Sequence, residues 1–256
     1  MRIVIKIGTS TLTHQTGNLN IRHIEALCKA VSDLKNAGHE IILVTSGAIG
    51  MGVGKLGLVK RPTDMPTKQA AAAVGQCELM YFYDKLFSEY NHTIGQILIT
   101  GQDLQNKQRN LNFRNTVERL LQLSALPIIN ENDTVATDEI KVGDNDTLAA
   151  IVSTVTQSDL LILLSDIDGL YTADPRQHPD ATLISDIHAL TDDILSLAGD
   201  AGSDLGTGGM KTKLRAAGLC MESGTDMVIA NGKHPDLLYD IAEGAPVGTK
   251  FHACKG

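Results

Sequence analysis

The 256-residue sequence has no excess of basic residues and no Cys-x-x-Cys pair. Its net charge of -8 argues against nucleic acid or an anionic membrane as a partner, since either would require a basic surface. The four scattered cysteines, Cys28, Cys77, Cys220 and Cys254, favour small buried or idle thiols over disulfides or a zinc site. The eight histidines show no metal-ligand spacing either. No protein-held metal is therefore expected.

Long apolar runs are absent as well. No stretch approaches the ~20 apolar residues that a membrane span needs, and the apolar segment after Met1 and Arg2 is too short for a signal-peptide core. We therefore expect a cytoplasmic protein. The sequence also has no internal repeat, no low-complexity segment and no linker rich in Pro, Gly and Ser, so residues 1–256 are expected to form a single domain.

Short apolar runs alternate with helical patterns along the chain. Residues 21–34 carry apolar side chains at the i, i+3, i+4 spacing of an amphipathic helix. Strands are predicted over residues 2–7, 40–45, 93–100, 126–130, 159–164 and 226–230, and helices over 21–34, 68–89, 110–124, 147–156, 192–197 and 211–221. Continuous apolar strands alternating with helices indicate a parallel sheet covered on both faces, and therefore an α/β fold.

Any division of this fold must be a cleft across a shared sheet, because no linker is present. The natural seam lies between residues 144 and 159, which predicts two lobes, 1–150 and 151–256, sharing a cleft. In open parallel sheets, ligands bind at the carboxyl ends of the strands. The unusual polar residues of this chain follow the predicted strands at those ends.

A glycine-rich segment, Gly206-Thr207-Gly208-Gly209-Met210-Lys211-Thr212-Lys213, runs directly into a predicted helix. Glycines let the backbone bend tightly and approach a ligand, a helix N-terminus offers free N–H groups, and lysine adds a mobile positive charge. The segment therefore predicts a phosphate-binding turn. It is not a Walker A loop, because the order Gly-Lys-Ser/Thr after four spacer residues is missing.

The first two strands each end in small or charged residues. Lys6 lies inside an apolar strand, where an ammonium group needs a partner, although a strand-edge lysine reaching water is an equal alternative. Ser46 and Gly47 follow the second strand and suit anion binding, but an ordinary helix N-cap in a tight turn is the better explanation there. The nearby Gly52-x-Gly54-x-x-Gly57 imitates a dinucleotide-binding motif. It is separated from the strand, so we dismiss it.

Two clusters of carboxylates and amides come next. They are Asn130-Glu131-Asn132-Asp133 and Gly143-Asp144-Asn145-Asp146-Thr147. Turn formation and N-capping would explain both. For the second cluster we favour a functional role, because three successive residues cannot all be needed as a cap. A functional site would use amides and carboxylates to hold an α-ammonium group and one carboxylate to align lysines.

The strand over residues 159–164 is followed by Ser165-Asp166-Ile167-Asp168-Gly169-Leu170-Tyr171. This segment has too few ligand positions for an EF-hand loop. It is either a simple turn after a buried strand or the rim of a nucleotide site. In the second case Ser165 and Asp166 would contact phosphate, ribose or base, and Tyr171 would lie close to adenine.

Taken in order, these clusters resemble the amino acid kinase family, and most closely its members that phosphorylate glutamate. The matching segments are Lys6–Ser10, Ser46–Ala48, Lys68–Gln76, Asn130–Asp133, Gly143–Asp146, Ser165–Asp166 with Gly169–Tyr171, and Gly206–Lys213. Each is weak alone, whereas the ordered set is specific. Two features depart from the pattern: Ser165 stands where threonine is frequent, and many bacterial relatives continue into an RNA-binding-like PUA domain whereas this sequence stops at Gly256.

The resemblance implies transfer of the ATP γ-phosphoryl group to the side-chain carboxylate of L-glutamate, the first step toward proline. It implies that Lys6 and Lys213 flank the phosphoryl group and that Asp146 organises them. Residues 1–150 would form the amino-acid lobe and residues 151–256 the nucleotide lobe. Glutamate would be held by Ser46, Asp133, Asp144 and Asn145; ATP would be held by Lys6, Ser165, Asp166, Thr207, Gly208, Gly209, Met210, Lys211, Thr212 and Lys213. Mg²⁺ would bridge the ATP phosphates, proline would inhibit, and a homo-oligomer (dimer or tetramer) is expected.

The chemistry fits a carboxylate acceptor, because a carboxylate is deprotonated at pH 7 and needs no general base. None of the clusters named contains a histidine. Two alternatives stay open. One is another kinase of the same fold, acting on acetylglutamate, aspartate, carbamate or uridine monophosphate. The other is a non-catalytic nucleotide-binding sensor, which would be expected to have lost Lys6, Lys213 or Asp146; all three are present.

Overall fold

The computed structural model describes residues 1–14, 18–137, 142–198 and 209–254. The strands in these residues are β1 (Arg2–Ile7), β2 (Glu40–Val44), β3 (Ile94–Ile99), β4 (Leu126–Glu131), β5 (Leu160–Ser165), β6 (Asp186–Ile187), β7 (Asp226–Asn231) and β8 (Thr249–Phe251). The helices are α1 (Thr9–Leu12), α2 (Ile21–Asn36), α3 (Ala48–Lys55), α4 (Met65–Ser88), α5 (Gly101–Gln105), α6 (Lys107–Gln122), α7 (Asn145–Val155), α8 (Asp192–Ser196), α9 (Met210–Glu222) and α10 (Leu237–Ala242).

The strands form one eight-stranded sheet in the order β3-β4-β2-β1-β5-β7-β8-β6. Every pairing is parallel except that of β7 with β8. The predicted α/β fold with a mostly parallel sheet is therefore confirmed. Strands β1–β4 occupy one half of the sheet and β5–β8 the other, and β1 lies where the halves meet, paired with β2 on one side and β5 on the other.

Apolar side chains cover both faces of this sheet, because successive residues of a strand point to opposite faces. In β1, Ile3, Ile5 and Ile7 join the core that includes residues of α2 and α4. Val4 joins the opposite core, built with residues of α6, α7 and α9. Lys6 follows Val4 by two positions and so lies on the same face, beneath α7 and α9. This alternation determines which helices can reach the lysine.

Helices α3 and α4 touch at two glycines. A Cβ at Gly52 would lie 1.8 Å from the Ala71 carbonyl oxygen, and a Cβ at Gly75 would lie 1.7 Å from the Ala48 carbonyl oxygen. Only glycine allows such a backbone approach. Gly52 and Gly54 thus lie inside a packed helix and not in a phosphate-binding turn, which confirms that the run over residues 52–57 is not a dinucleotide-binding motif.

Side-chain caps explain where several predicted helix ends were wrong. Helix α7 begins at Asn145, two residues before the predicted start, because Asp144 caps it by accepting from the Thr147 backbone N–H at 2.7 Å. Helix α4 begins at Met65, capped by Asp64, and α6 begins at Lys107, capped by Asn106. No helix of the described residues is both long and apolar enough to cross a membrane.

Candidate active site

Three elements bring Lys6, Asp146 and Lys213 together at the carboxyl end of β1. Lys6 Nζ lies 2.7 Å from Asp146 Oδ1, and Lys213 Nζ lies 3.1 Å from Asp146 Oδ2. Lys6 comes from β1, Asp146 from the first turn of α7 and Lys213 from the first turns of α9. The sequence prediction placed these three residues in one site, and the structure brings them into direct contact.

The three charged groups are buried together. Asp146 is 1% exposed, Lys213 6% and Lys6 9%. Burial alone would raise the pKa of Asp146, but the two ammonium groups outweigh it and hold that pKa well below the usual range of a carboxyl. Asp146 is therefore ionised at any physiological pH. One buried carboxylate facing two ammonium groups leaves one positive charge without a counter-charge in this cluster.

Thr212 adds a neutral contact to the same carboxylate. Its hydroxyl oxygen lies 2.9 Å from Asp146 Oδ2 and 2.8 Å from the Gly209 carbonyl oxygen. Both oxygens of Asp146 are thus engaged, Oδ1 by Lys6 and Oδ2 by Lys213 and Thr212. The carboxylate orients both lysines from one point.

Backbone without side chains borders the ammonium groups. A Cβ at Gly8 would lie 3.7 Å from Lys6 Nζ, so the glycine leaves that side of the ammonium open. Helix α9 begins after Gly209, and the first N–H groups of a helix attract anions. Lys211, in the first turn of α9, is exposed. The described part of the glycine-rich turn therefore has the properties predicted for phosphate binding. Thr207 and Gly208 lie outside the described residues.

An open cleft of about 730 Å³, including space continuous with solvent, adjoins Lys213. The cleft is lined by Ser165, Asp166, Ile167, Leu170, Tyr171, Ala173, Asp174, Pro175, Arg176, Leu197, Ala198, Gly209, Met210 and Lys213. Of the described residues predicted to bind ATP, five line this cleft: Ser165, Asp166, Gly209, Met210 and Lys213. Lys6, Lys211 and Thr212 are not part of its lining. Its apolar and polar lining would suit a base and ribose.

Tyr171 is held at the edge of this cleft by Asp168. The tyrosine hydroxyl donates to Asp168 Oδ2 at 2.9 Å, and Asn231 Nδ2 donates to Asp168 Oδ1 at 2.6 Å. These two hydrogen bonds lower the pKa of Asp168, the bond from Asn231 being the larger cause. The loop after β5 is therefore pinned to the end of β7. Asp168 belongs to the segment that follows β5, but this role could not be predicted from the sequence, and neither could that of Asn231, which carries no recognisable motif.

Polar side chains on the other side of β1 form a second group. Asn145 Nδ2 lies 2.9 Å from Ser46 Oγ and 3.0 Å from Asn130 Oδ1, and it also donates to the Thr45 carbonyl oxygen. Ser46 and Asn145 are half-buried. Gly47, at a φ of 93°, turns the chain between β2 and α3. The structure thus joins two of the residues predicted to bind the amino acid.

The other two predicted residues of this group have different surroundings. Asp144 is 9% exposed, and its two carboxylate oxygens accept from the Thr147 backbone N–H and hydroxyl at 2.7 and 2.9 Å. Asp144 is thus the helix cap that the alternative interpretation required. Asp133 lies half-buried in the turn after β4. Glutamate binding by either carboxylate stays a prediction.

The fold and this site define a class of protein. The amino acid kinase family model matches residues 1–231, and the chain belongs to that family. A solved isopentenyl phosphate kinase of T. acidophilum shares the fold with a TM-score of 0.68 at 19% sequence identity, over 98% of this chain and all of the other.

Relatives with higher sequence identity are glutamate 5-kinases. The chain is 55% identical over 253 residues to a glutamate 5-kinase of Clostridium tetani, covering 99% of this chain and 95% of the relative. It is 51% identical over 251 residues to a glutamate 5-kinase of Caldanaerobacter subterraneus subsp. tengcongensis, covering 98% of this chain and 68% of that longer relative. The predicted resemblance to the glutamate-phosphorylating members of the family is confirmed.

Proposed function

We propose that this protein transfers the γ-phosphoryl group of ATP to the side-chain carboxylate of L-glutamate, giving L-glutamyl 5-phosphate for proline biosynthesis. The observation that carries the proposal is the cluster of two ammonium groups on one buried carboxylate at the carboxyl end of β1. The 55% identity to a glutamate 5-kinase over nearly the whole chain supports the choice of substrate.

The geometry answers the main obstacle of this reaction, which is the approach of an anionic acceptor to an anionic triphosphate. Lys6 and Lys213 come from different halves of the fold and would compensate that charge from two sides. Asp146 keeps both ammonium groups in place but leaves one positive charge uncompensated. The acceptor carboxylate is already ionised at neutral pH, so no residue has to remove a proton.

ATP would lie along the cleft between the end of β5 and the start of α9. The base and ribose would occupy the part near Tyr171 and Met210, and the phosphates the part near Gly209 and Lys213. Mg²⁺ would enter with ATP, since it favours phosphate oxygens and water over an all-protein cage. The described residues contain no group of three or more His, Cys, Asp or Glu side chains that could hold it instead. The ion would add positive charge at the phosphate oxygens.

The amino acid would bind on the other side of β1, where Ser46 and Asn145 meet. In this proposal the lobe of residues 1–150 binds glutamate and the lobe of residues 151–256 binds ATP. Helix α7 (Asn145–Val155) crosses that boundary and carries Asp146, so it would connect the two substrates. Asp133 and Asp144 would complete the amino-acid pocket.

The experiment is an acceptor panel. Purified protein is given ATP, Mg²⁺ and one acceptor at a time (L-glutamate, N-acetylglutamate, aspartate, carbamate or uridine monophosphate), and acyl phosphates are trapped with hydroxylamine. We expect hydroxamate with glutamate and ADP release that depends on glutamate. A preference for acetylglutamate would overturn the substrate assignment. ATP consumption without any acceptor dependence would favour the non-catalytic sensor.

Three further properties stay proposals. Proline, which shares the α-carboxylate and amine of glutamate, would inhibit at or near the glutamate site. The protein would form a dimer or tetramer, and it would act in the cytoplasm without a nucleic acid or membrane partner. Inhibition at increasing glutamate concentration tests the first, because competition raises the KM for glutamate and leaves kcat unchanged. Sedimentation analysis tests the second.

A further inference from the structure

A chain of side-chain amides runs from helix α4 to the proposed amino-acid pocket. Gln76 of α4 accepts through Oε1 a hydrogen bond of 2.9 Å from Asn130 Nδ2. Asn130, at the end of β4, accepts through Oδ1 a hydrogen bond of 3.0 Å from Asn145 Nδ2. Gln76 is 7% exposed and Asn130 2%, so these two amides are closed off from water.

Backbone groups fix the direction of every amide in this chain. The Thr45 carbonyl oxygen can only accept, so Asn145 must turn Nδ2 toward it. The Glu131 backbone N–H can only donate, and it lies 2.9 Å from Asn130 Oδ1. Asn130 must therefore present Nδ2 on its other side. That nitrogen needs an acceptor, and Gln76 Oε1 supplies it.

The orientation of Asn145 follows from its neighbours. Its Nδ2 faces Thr45, Ser46 and Asn130 in the interior, which turns its Oδ1 away from all three. Asn145 is half-buried, whereas Asn130 and Gln76 are buried. Of the three amides, it is therefore Asn145 whose oxygen a ligand can reach. An amide oxygen only accepts hydrogen bonds, which suits an α-ammonium group.

Gln76 itself has one group that the fold does not use. Its Nε2 is buried and has no hydrogen-bond partner among the described residues. An unpartnered buried donor costs stability, and an apolar side chain of equal length would avoid that cost. The group in use is therefore the oxygen that faces Asn130.

We propose that Gln76 is a positioning residue of the amino-acid pocket: it holds Asn130, and through it Asn145, in the orientation that accepts the α-ammonium group of the acceptor. The inference rests on the proposed function, since it assigns a role in binding the amino acid. It extends the site to α4, a helix to which no site residue was assigned. Gln76 does not touch the reacting atoms in this proposal.

The test replaces Gln76 with a side chain of similar length that has no acceptor, Gln76→Met. We expect the KM for glutamate to rise about tenfold, the order expected for one misoriented hydrogen bond, with kcat and the KM for ATP within about twofold. Gln76→Glu keeps an oxygen acceptor toward Asn130, since burial favours the neutral carboxylic acid at this position, and is expected to stay within about threefold of the parent KM. Leu79→Val, one turn further along α4 and fully buried, is the matched control for disturbed packing.

Every result of this test either supports or overturns the role proposed for Gln76. An unchanged KM for glutamate in Gln76→Met, an equal rise in both KM values, or a loss confined to kcat would overturn the proposal, because damaged packing alone lowers the active fraction without selecting one substrate. If Gln76→Met does not fold, Gln76→Ala carries the same expectation. A parent protein with no glutamate-dependent turnover would instead refute the proposed function, which is a separate result.

Discussion

Replacing Asp146 with asparagine tests the centre of the proposed mechanism. The substitution keeps the size and shape of the side chain and removes the charge that faces Lys6 Nζ at 2.7 Å and Lys213 Nζ at 3.1 Å. At these separations and an effective dielectric of ~20, opposite unit charges attract by about 5–6 kcal/mol each before any desolvation is counted. Without the carboxylate the two ammonium groups repel each other and move apart.

The expected loss follows from that movement. If each ammonium retreats from about 4 Å to about 6 Å from the transferring phosphoryl group, the two attractions weaken by about 3 kcal/mol together at an effective dielectric of ~20. At ~1.4 kcal/mol per tenfold in rate, kcat should fall about a hundredfold. The KM for glutamate should change by less than about threefold, because Ser46 and Asn145 are untouched.

The assay is steady-state ADP release with glutamate and ATP varied separately. Asp103→Asn is the matched control, because it removes another ion-paired carboxylate, 2.8 Å from Arg109, that lies outside the proposed site. A kcat within threefold of the parent would refute the role of Asp146 in organising the lysines. A KM effect larger than the kcat effect would move Asp146 from catalysis to amino-acid binding.

Three further predictions use the same protein. Lys6→Ala and Lys213→Ala should each lower kcat by about 10²–10³, as expected for the loss of one ammonium contact of about 4 kcal/mol. Replacing the exposed Lys29 with alanine is the control and should leave kcat unchanged. Turnover within threefold of the parent in both Lys6→Ala and Lys213→Ala would contradict the mechanism. Gly52→Ala should lower the melting temperature strongly, because its Cβ would meet the Ala71 backbone. Gly50→Ala in the same helix is the control, since its Cβ would make only an ordinary 3.7 Å contact with Thr9. Equal melting temperatures for the two variants would argue against the close approach of α3 and α4. The parent should be more stable than Asp146→Asn at pH 7, and thermal melts should show this difference in stability shrinking as the pH falls below about 4. The reason is that a carboxyl with a lowered pKa stabilises the folded state above its ordinary pKa and loses this stabilisation as it is protonated. A stability difference that is independent of pH down to about pH 2 would contradict this.

Much of the fold could be predicted because its elements have strong local patterns. Strands β2 and β5 are nearly continuous apolar runs, β1 is apolar apart from Arg2 and Lys6, and α2 has clear helical periodicity. The short elements β6, β8, α1, α5 and α10 were not predicted. They have two to six residues, too few to show a period. Strand β8 exists because it pairs with β6 and β7, which are distant in sequence.

The candidate site was predictable where chemistry made residues conspicuous. Lys6 in an apolar strand and three polar residues at positions 144–146 both break the expected pattern, and the structure gives each of those three a different partner. Gln76 ends one of the segments that carry the family resemblance, but no role could be assigned to it, because a glutamine in a helix is ordinary. Its importance arises only when α4 packs against the end of β4.

The pairing of β1 with β5 limits how this molecule can move. Five residues of β1 are in register with five of β5, so the backbone itself joins the proposed glutamate-binding and ATP-binding sides. A hinge motion that moved one half of the sheet as a rigid body would have to break the backbone hydrogen bonds between β1 and β5. Substrates must therefore be brought within bonding range by a change of sheet twist or by segments above the strand ends, and the amides of Val4 and Lys6, which face β5, should resist hydrogen exchange equally with and without ligands.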